Sequence, residues 1–228
     1  MKKTLAAVAA ASFAVTGAHA ASIIIDDFDQ DISVGLSLLG GAESNSASDA
    51  YMSTGGMMFD RVIEISSSNA QGSNIIIASD SLTVNSGNLG DIEGSISWTL
   101  SDTSGGIDLT NSATFQADIV SNSVSTSDGE VDMTLTLVSG IGGTEVSETV
   151  SFTVAQGDDL LSVKLAQFVS VDLTDIDSIV LAYTSNAFEG SDFTLENAVL
   201  FTAVPVPGAL PLMLAGIGFY AARRARFK

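Results

Sequence analysis

Apolar and polar side chains alternate at period two in short segments that recur across residues 22–201, the spacing of β-strands with one buried face. The alternation predicts strands at Ser22–Ile25, Ile32–Leu39, Arg61–Ser66, Ile75–Val84, Gly94–Leu100, Ala113–Val120, Val131–Val138, Glu145–Val154, Ser162–Ser170, Ser178–Tyr183 and Phe193–Phe201. Clusters of Gly, Ser and Asn punctuate them, and no amphipathic helix of three turns falls between. The clearest unit runs along Val131–Val138, through the glycine-bearing turn Ser139–Thr144, and back along Glu145–Val154. Both arms alternate, so this is an antiparallel hairpin with one wet face. Strands of this number and length argue for an all-β fold, an antiparallel two-sheet β-sandwich. The lack of an exact repeat argues against a propeller or solenoid.

Two segments break the alternation, one at each end. Lys2 and Lys3 precede an apolar run from Leu5 to Val15, and Ala18-His19-Ala20 fits the small-x-small cleavage rule. Residues 1–20 therefore read as a secretory signal peptide, cut by signal peptidase after Ala20, because the run falls short of the ~20 residues of a spanning helix. At the other end all three prolines lie within Val204–Pro211, an uncharged stretch continues to Ala222, and Arg223, Arg224, Arg226 and Lys228 follow. Ala203–Ala222 is long enough for one transmembrane helix in the inner membrane, with the basic tip left in the cytoplasm. The expected organisation is a signal peptide at 1–20, a β-sandwich domain at 21–203 and a C-terminal segment at 204–228.

Charge sharpens this division. The 228-residue chain has a formal charge of -19, yet all 27 acids fall between Asp26 and Glu196, where only Arg61 and Lys164 oppose them. Two cations against 27 carboxylates leave the body at -25. Such a field repels phosphate backbones and excludes nucleic acid as a partner. There is no Cys, and His19, the one histidine, leaves with the signal peptide. Disulfides, thiol or imidazole catalysis and histidine-ligated zinc go with them. Paired carboxylates can hydrolyse glycosides without either residue, but nothing in the spacing of the acids singles out a pair, and the chain reads as a non-enzyme. The acidity also fits adaptation to salt.

Val204-Pro205-Val206-Pro207-Gly208, the apolar span and the Arg-rich tip stand in that order at the extreme C-terminus. Together they resemble the PEP-CTERM class of bacterial sorting signals, in the variant whose signature reads Val-Pro-Leu-Pro-Ala. Val204, Pro205 and Pro207 match, while Val206 stands where that signature has Leu and Gly208 where it has Ala. The resemblance implies processing by an exosortase in a Gram-negative bacterium that makes exopolysaccharide, and a cell-surface or extracellular-matrix destination.

A second resemblance covers most of the body. Ile23–Asp29, Gly55-Gly56 with Arg61 beyond, Gly94–Trp98, Phe168–Ile179 and Asp192–Asn197 look like the blocks of a jelly roll found in PEP-CTERM proteins, similar to carbohydrate-binding modules. Where that pattern gives Asp-Asn near the last strand, this chain has Glu196-Asn197. Related modules often hold calcium near their ends, and a jelly roll brings its first and last strands together. Asp26, Asp27 and Asp29 are then expected to meet Glu196 and Asn197 around a structural Ca²⁺, whose six to eight oxygen ligands suit short carboxylates. The plainer alternative is that these are turn-forming, solvated acids, one of them capping local backbone. The EF-hand loop and the tandem glycine-rich calcium repeat are both missing.

For a sugar ligand the amphipathic aromatics are Trp98, Tyr51 and Tyr183, and Trp98 and Tyr183 are the candidate binding residues. Ile96, Trp98 and Leu100 share one strand face, which favours core over stacking platform for Trp98. Arg61 is expected to pair with Asp60, Glu64 or a neighbouring strand, and Lys164 to lie on the wet face. The function expected is that of an exported, exosortase-sorted structural or adhesive component associated with exopolysaccharide. The alternative is a specific lectin-like carbohydrate-binding module, calcium-dependent if the acids converge.

Overall fold

The computed structural model describes residues 22–36, 42–53, 56–68, 72–85, 92–101, 105–123, 130–141, 143–185 and 192–202. The expected signal peptide, sorting motif, transmembrane helix and basic tip lie outside them. Among the described residues no helix is long and apolar enough to cross a membrane.

Thirteen strands follow one another: β1 Ser22–Asp26, β2 Ile32–Gly35, β3 Glu43–Met52, β4 Met58–Ser67, β5 Asn74–Ala78, β6 Ser81–Asn85 and β7 Ile92–Leu100, then β8 Ser112–Ser123, β9 Glu130–Ser139, β10 Val146–Ala155, β11 Leu160–Lys164, β12 Ile176–Ser185 and β13 Asp192–Thr202. Sheet A runs β11-β8-β13-β6-β5-β2, with β1 also on β13, and sheet B runs β10-β9-β12-β7-β4-β3. Every pairing is antiparallel. Inward positions of both sheets interdigitate into one core, as the ring contacts Trp98 to Phe115 and Tyr183 to Phe193 show, each joining sheet B to sheet A. The fold is a β-sandwich, as the alternation predicts.

Three segments depart from the expected elements. Ile75–Val84 is two strands, not one: Ser79 and Asp80 both take positive φ, 55° and 64°, in a two-residue hairpin turn. Such turns usually advertise themselves with glycine, and this one carries none. Ser162–Ser170 leaves the sheet at Lys164 for a single 3-10 turn at Leu165–Gln167. β3, unseen in the alternation, reads Glu-Ser-Asn-Ser-Ala-Ser-Asp-Ala-Tyr-Met, because as an edge strand it buries only Tyr51 fully.

The first and last strands do meet. β13 pairs with β6 through Phe193–Leu195 and then with β1 through Ala198–Phe201. The handover falls at Asn197, whose φ of 53° bends the strand.

At the inner end of β1 lies a polar network inside the core. Asp26 and Arg61 are both fully buried and paired, Nη1 to Oδ2 at 2.9 Å. Trp98 Nε1 donates to the same carboxylate at 2.7 Å, and the Phe28 amide donates to Oδ1 at 2.8 Å. Arg61 also donates through Nη2 and Nε to Asp49 at 2.6 and 3.0 Å, and through Nη2 to the Gln30 carbonyl at 2.9 Å. Its guanidinium lies 4.8 Å from the Tyr51 ring centroid, and Tyr51 in turn donates to Asp27 Oδ1 at 2.6 Å. Burial pushes the Asp26 carboxyl above its ordinary range, opposed by Arg61, Trp98 and the Phe28 amide. Burial works against the guanidinium too, but Asp49 and Asp26 outweigh it and hold Arg61 firmly protonated.

Elsewhere the buried polar residues are serines, among them Ser53, Ser139 and Ser178, and two buried oxygens, Ser112 Oγ and Tyr183 Oη, lack a hydrogen-bond partner among the described residues. Tyr183 faces Gly94 across β12 and β7, and a methyl group on Gly94 would run into the Tyr183 ring and hydroxyl. The Tyr183 hydroxyl is buried without a hydrogen-bond partner among the described residues, and burial pushes its pKa up.

Truncating one member of a buried ion pair strands the other, so Asp26→Ala should cost about 3–5 kcal/mol in urea unfolding. Gly94→Ala should cost about 1–3 kcal/mol through overpacking, whereas Tyr183→Phe, which deletes an unpaired hydroxyl, should be neutral or stabilise by about 1 kcal/mol.

The pH dependence has two opposing parts. Hydrogen bonds from Thr110, Ser170 and Thr174 lower the carboxyls of Asp108, Glu148 and Asp172, so their stabilisation is present above about pH 4 and lost as pH falls through the depressed values. Asp26, with its raised value, acts in reverse and favours the fold in acid. An Asp108→Asn/Asp172→Asn variant should therefore show a flatter loss of stability below about pH 4 than the parent, measured by urea unfolding at stepped pH.

Candidate functional site

The wet face of sheet B is continuous across six strands, and the register fixes which side chains share a level. One level holds Ser44, Ser66, Glu93, Thr184, Asp132 and Thr153, and the next holds Ser46, Glu64, Ser95, Ala182, Thr134 and Ser151. Two further levels carry Ser48, Val62, Ser97, Val180, Thr136 and Thr149, then Ala50, Asp60, Thr99, Ser178, Val138 and Ser147. The face is thus a carpet of hydroxyls with a few Val and Ala and four carboxylates, those of Asp60, Glu64, Glu93 and Asp132. Among the described residues it offers no cation and no outward-facing aromatic ring. Hydroxyls bond across strands at Thr99 to Ser178, 3.0 Å, and Thr136 to Thr149, 2.8 Å.

Small side chains on a twisted sheet leave relief only where the sheet itself curves. A groove of about 690 Å³ crosses β3, β4, β7 and β12 at the first two levels, bordered by the outward-facing Ser44, Ser46, Glu64, Ser66, Glu93, Ser95 and Thr184, with Asn45, Ile65, Gly94 and the buried Tyr183 also in its lining. A second, of about 380 Å³, continues across β12, β9 and β10 past Asp132, Thr134, Ser151 and Thr153. The two share Ala182 and Thr184. Together they run perpendicular to the strands over the full width of the sheet. Chemically, the groove presents donors and acceptors at every step and carboxylates that only accept.

The site residues expected from sequence lie elsewhere. Trp98 is fully buried and Tyr183 nearly so, at 0% and 6% exposure, so neither offers a face to a ligand. Trp98 spends its N–H on Asp26, the core position that its strand pattern favours. Asp26 has both oxygens engaged by Arg61, Trp98 and the Phe28 amide, Asp27 is bound to Tyr51, and Asp29 is exposed. Glu196 stands opposite Asp118 in the β13–β8 ladder, and Asn197 Nδ2 reaches Asp118 at 3.3 Å. Although β1 and β13 adjoin, their carboxylates do not gather. Among the described residues no group of three acidic side chains is disposed to hold a metal ion. The cation that ties β1 to sheet B is the Arg61 guanidinium, paired with Asp49 of the neighbouring β3 and with Asp26, not with Asp60 or Glu64 of its own strand.

The groove residues are the polar half of the alternation, visible in sequence as strand positions but not as a site. Their convergence depends on a register linking Ser44 to Thr153 through four intervening strands.

No protein-family model matches the chain, and no curated protein matches it in sequence. Among solved structures, a family 11 carbohydrate-binding module from Clostridium thermocellum, in complex with a β-1,3-1,4-mixed-linked tetrasaccharide, is 14% identical over 80% of this chain and 96% of its own, with a TM-score of 0.42. The solution structure of CtCBM11 is 14% identical over 82% of this chain and 98% of its own, at 0.45. An agarase, AgWH50C, is 11% identical over 80% of this chain and 26% of its own, at 0.39. At TM-scores below 0.5 these likenesses carry no weight on what this chain binds.

Proposed function

We propose that residues 21–203 form a non-enzymatic carbohydrate-binding domain whose ligand is a neutral polysaccharide laid along the groove of sheet B. The observation that carries this reading is the lining of the groove: hydroxyls and carboxylates at regular spacing, with no cation. Sugar hydroxyls match both partners, donating to Glu64, Glu93 and Asp132 and exchanging bonds with Ser and Thr. A uronic or sulfated polymer would meet uncompensated carboxylates. With no ring to stack on the sugar, affinity per site rests on hydrogen bonds worth about 0.5–1.5 kcal/mol each, more for those to carboxylates, so binding is weak and a long polymer is favoured over an oligosaccharide.

The terminal segments complete the proposal. Signal peptidase and an exosortase deliver the domain through an inner-membrane intermediate to the surface or matrix of a Gram-negative cell, where binding exopolysaccharide makes it adhesive. No step of this reading passes through calcium.

Affinity electrophoresis and calorimetry should detect binding of an uncharged β-glucan that is unaffected by salt, with a polyuronate bound less well. Glu93→Gln/Asp132→Asn should weaken it by about 1.5–3 kcal/mol, roughly tenfold to a hundredfold. A polyuronate preferred over the neutral polymer, or a double variant that binds like the parent, would overturn the reading. For sorting, mass spectrometry of the protein recovered from the host's surface fraction should find the chain ending near Val204–Gly208, and an intact Arg223–Lys228 tip there would contradict it.

A further inference from the structure

Five strands have a neighbour on one side only among the described residues: β1, β2 and β11 in sheet A, β3 and β10 in sheet B. Exposed edges template unwanted pairing, and proteins blunt them by shortness, charge, proline, bulges or cover. β1 has five residues and a bulge before Asp26, β2 has four residues, and β11 has five and ends in Lys164. β3 is tied across to sheet A by Asn45 Nδ2, which donates to the Gly35 carbonyl at 3.0 Å. β10 is different. It has ten residues in unbroken register with β9, no proline, no cation, and Glu148 as its one charge. That carboxylate folds away to accept the amides of Ser170 and Val171 at 2.6 and 3.2 Å. Apolar side chains are exposed at this edge, as Met52 and Met58 are at the β3 end of the sheet. Val146 and Ile141 are over a third exposed, Val169, beside the loop that Glu148 holds, is 83% exposed, and Val150 and Phe152 are only partly buried against the core.

We propose that β10 pairs antiparallel with β10 of a second copy of this chain, joining two sheets B into one of twelve strands. The pairing must keep inward-facing positions, the even-numbered ones, on the same side in both copies, because a one-residue slip reverses every side chain. In the register centred on Ser151, Phe152 opposes the partner's Val150, Thr149 opposes the partner's Thr153, and Glu148 opposes the partner's Val154. Aromatic with β-branched and Thr with Thr are favourable cross-strand pairs, and no carboxylate meets another. For a body of such acidity that is decisive, since most other surface contacts would set acid against acid. Repulsion between the bodies at longer range remains and is screened over about 10 Å at 0.1 M salt, so the dimer strengthens as salt rises. This inference is independent of the glycan reading.

Because the chain has no cysteine, a single introduced one reports one position. Sedimentation of the full chain in mild detergent should show the mass doubling as salt or concentration rises. A bismaleimide should capture Ser151→Cys as a dimer but not Ser48→Cys on β3, at the far end of sheet B. Val150→Lys, an inward-facing edge charge, should abolish the dimer while retaining a cooperative melt. If Val150→Lys does not fold, the Ser151 and Ser48 comparison decides alone. A chain that stays monomeric at all salt and protein concentrations, or a dimer captured as well through Ser48→Cys as through Ser151→Cys, overturns the proposal.

Discussion

Among the described residues Arg61 is the one buried cation, and the arrangement of the amino-terminal half of the sandwich depends on where that charge sits. The guanidinium has partners on three segments: Asp26 on β1, Asp49 on β3 and the Gln30 carbonyl between β1 and β2. Burying a charge is costly unless it is paired and its donors are satisfied, and here the same atoms that satisfy it also fix chain geometry. Asp26 brings in Trp98 from β7, so that one carboxylate links β1 to the centre of the other sheet. The left-handed Phe28, with φ of 58°, closes the turn that aims its amide at Asp26. A hydrophobic substitute for the trio could match it in stability. It would not specify the placement of β1 as narrowly, because apolar contacts carry no direction.

The same fact explains why the carboxylates of β1 and β13 do not converge among the described residues. Two strands can be neighbours while their acids face opposite ways, since side chains alternate across a sheet. Asp26 turns inward to Arg61, whereas Asn197 is exposed and reaches toward Asp118 on β8. Proximity of β1 and β13 was legible from the resemblance to jelly rolls. The facing was not, because a bulge at Asp26 and the bend at Asn197 each shift the alternation by one.

The general β-sandwich was legible because most strands bury one face, and period-two alternation records that burial directly. Where burial does not alternate, the record fails. β3 carries Ser on its wet side and Asn45, Ala47 and Asp49 on the other, so its inward positions look as polar as its outward ones. Trp98 was legible as core from Ile96 and Leu100, but its partner 72 residues away was not. The groove was the least legible feature. Ser and Thr at alternate positions are what any solvated strand face shows, and only the register of six strands turns them into a surface with a direction.

That surface makes sense of the charge on the body. A body with 27 acids and two cations opposes polyanions, and it resists association with its own copies wherever acid would meet acid. The groove and the β10 edge handle that charge differently: the groove leaves Glu64, Glu93 and Asp132 as acceptors among hydroxyls, whereas the edge folds its lone glutamate back onto a loop. Acidity in this reading is a filter. It leaves neutral polymers and self-pairing at one edge as the favourable contacts, and it makes the second of these contingent on the salt around the cell.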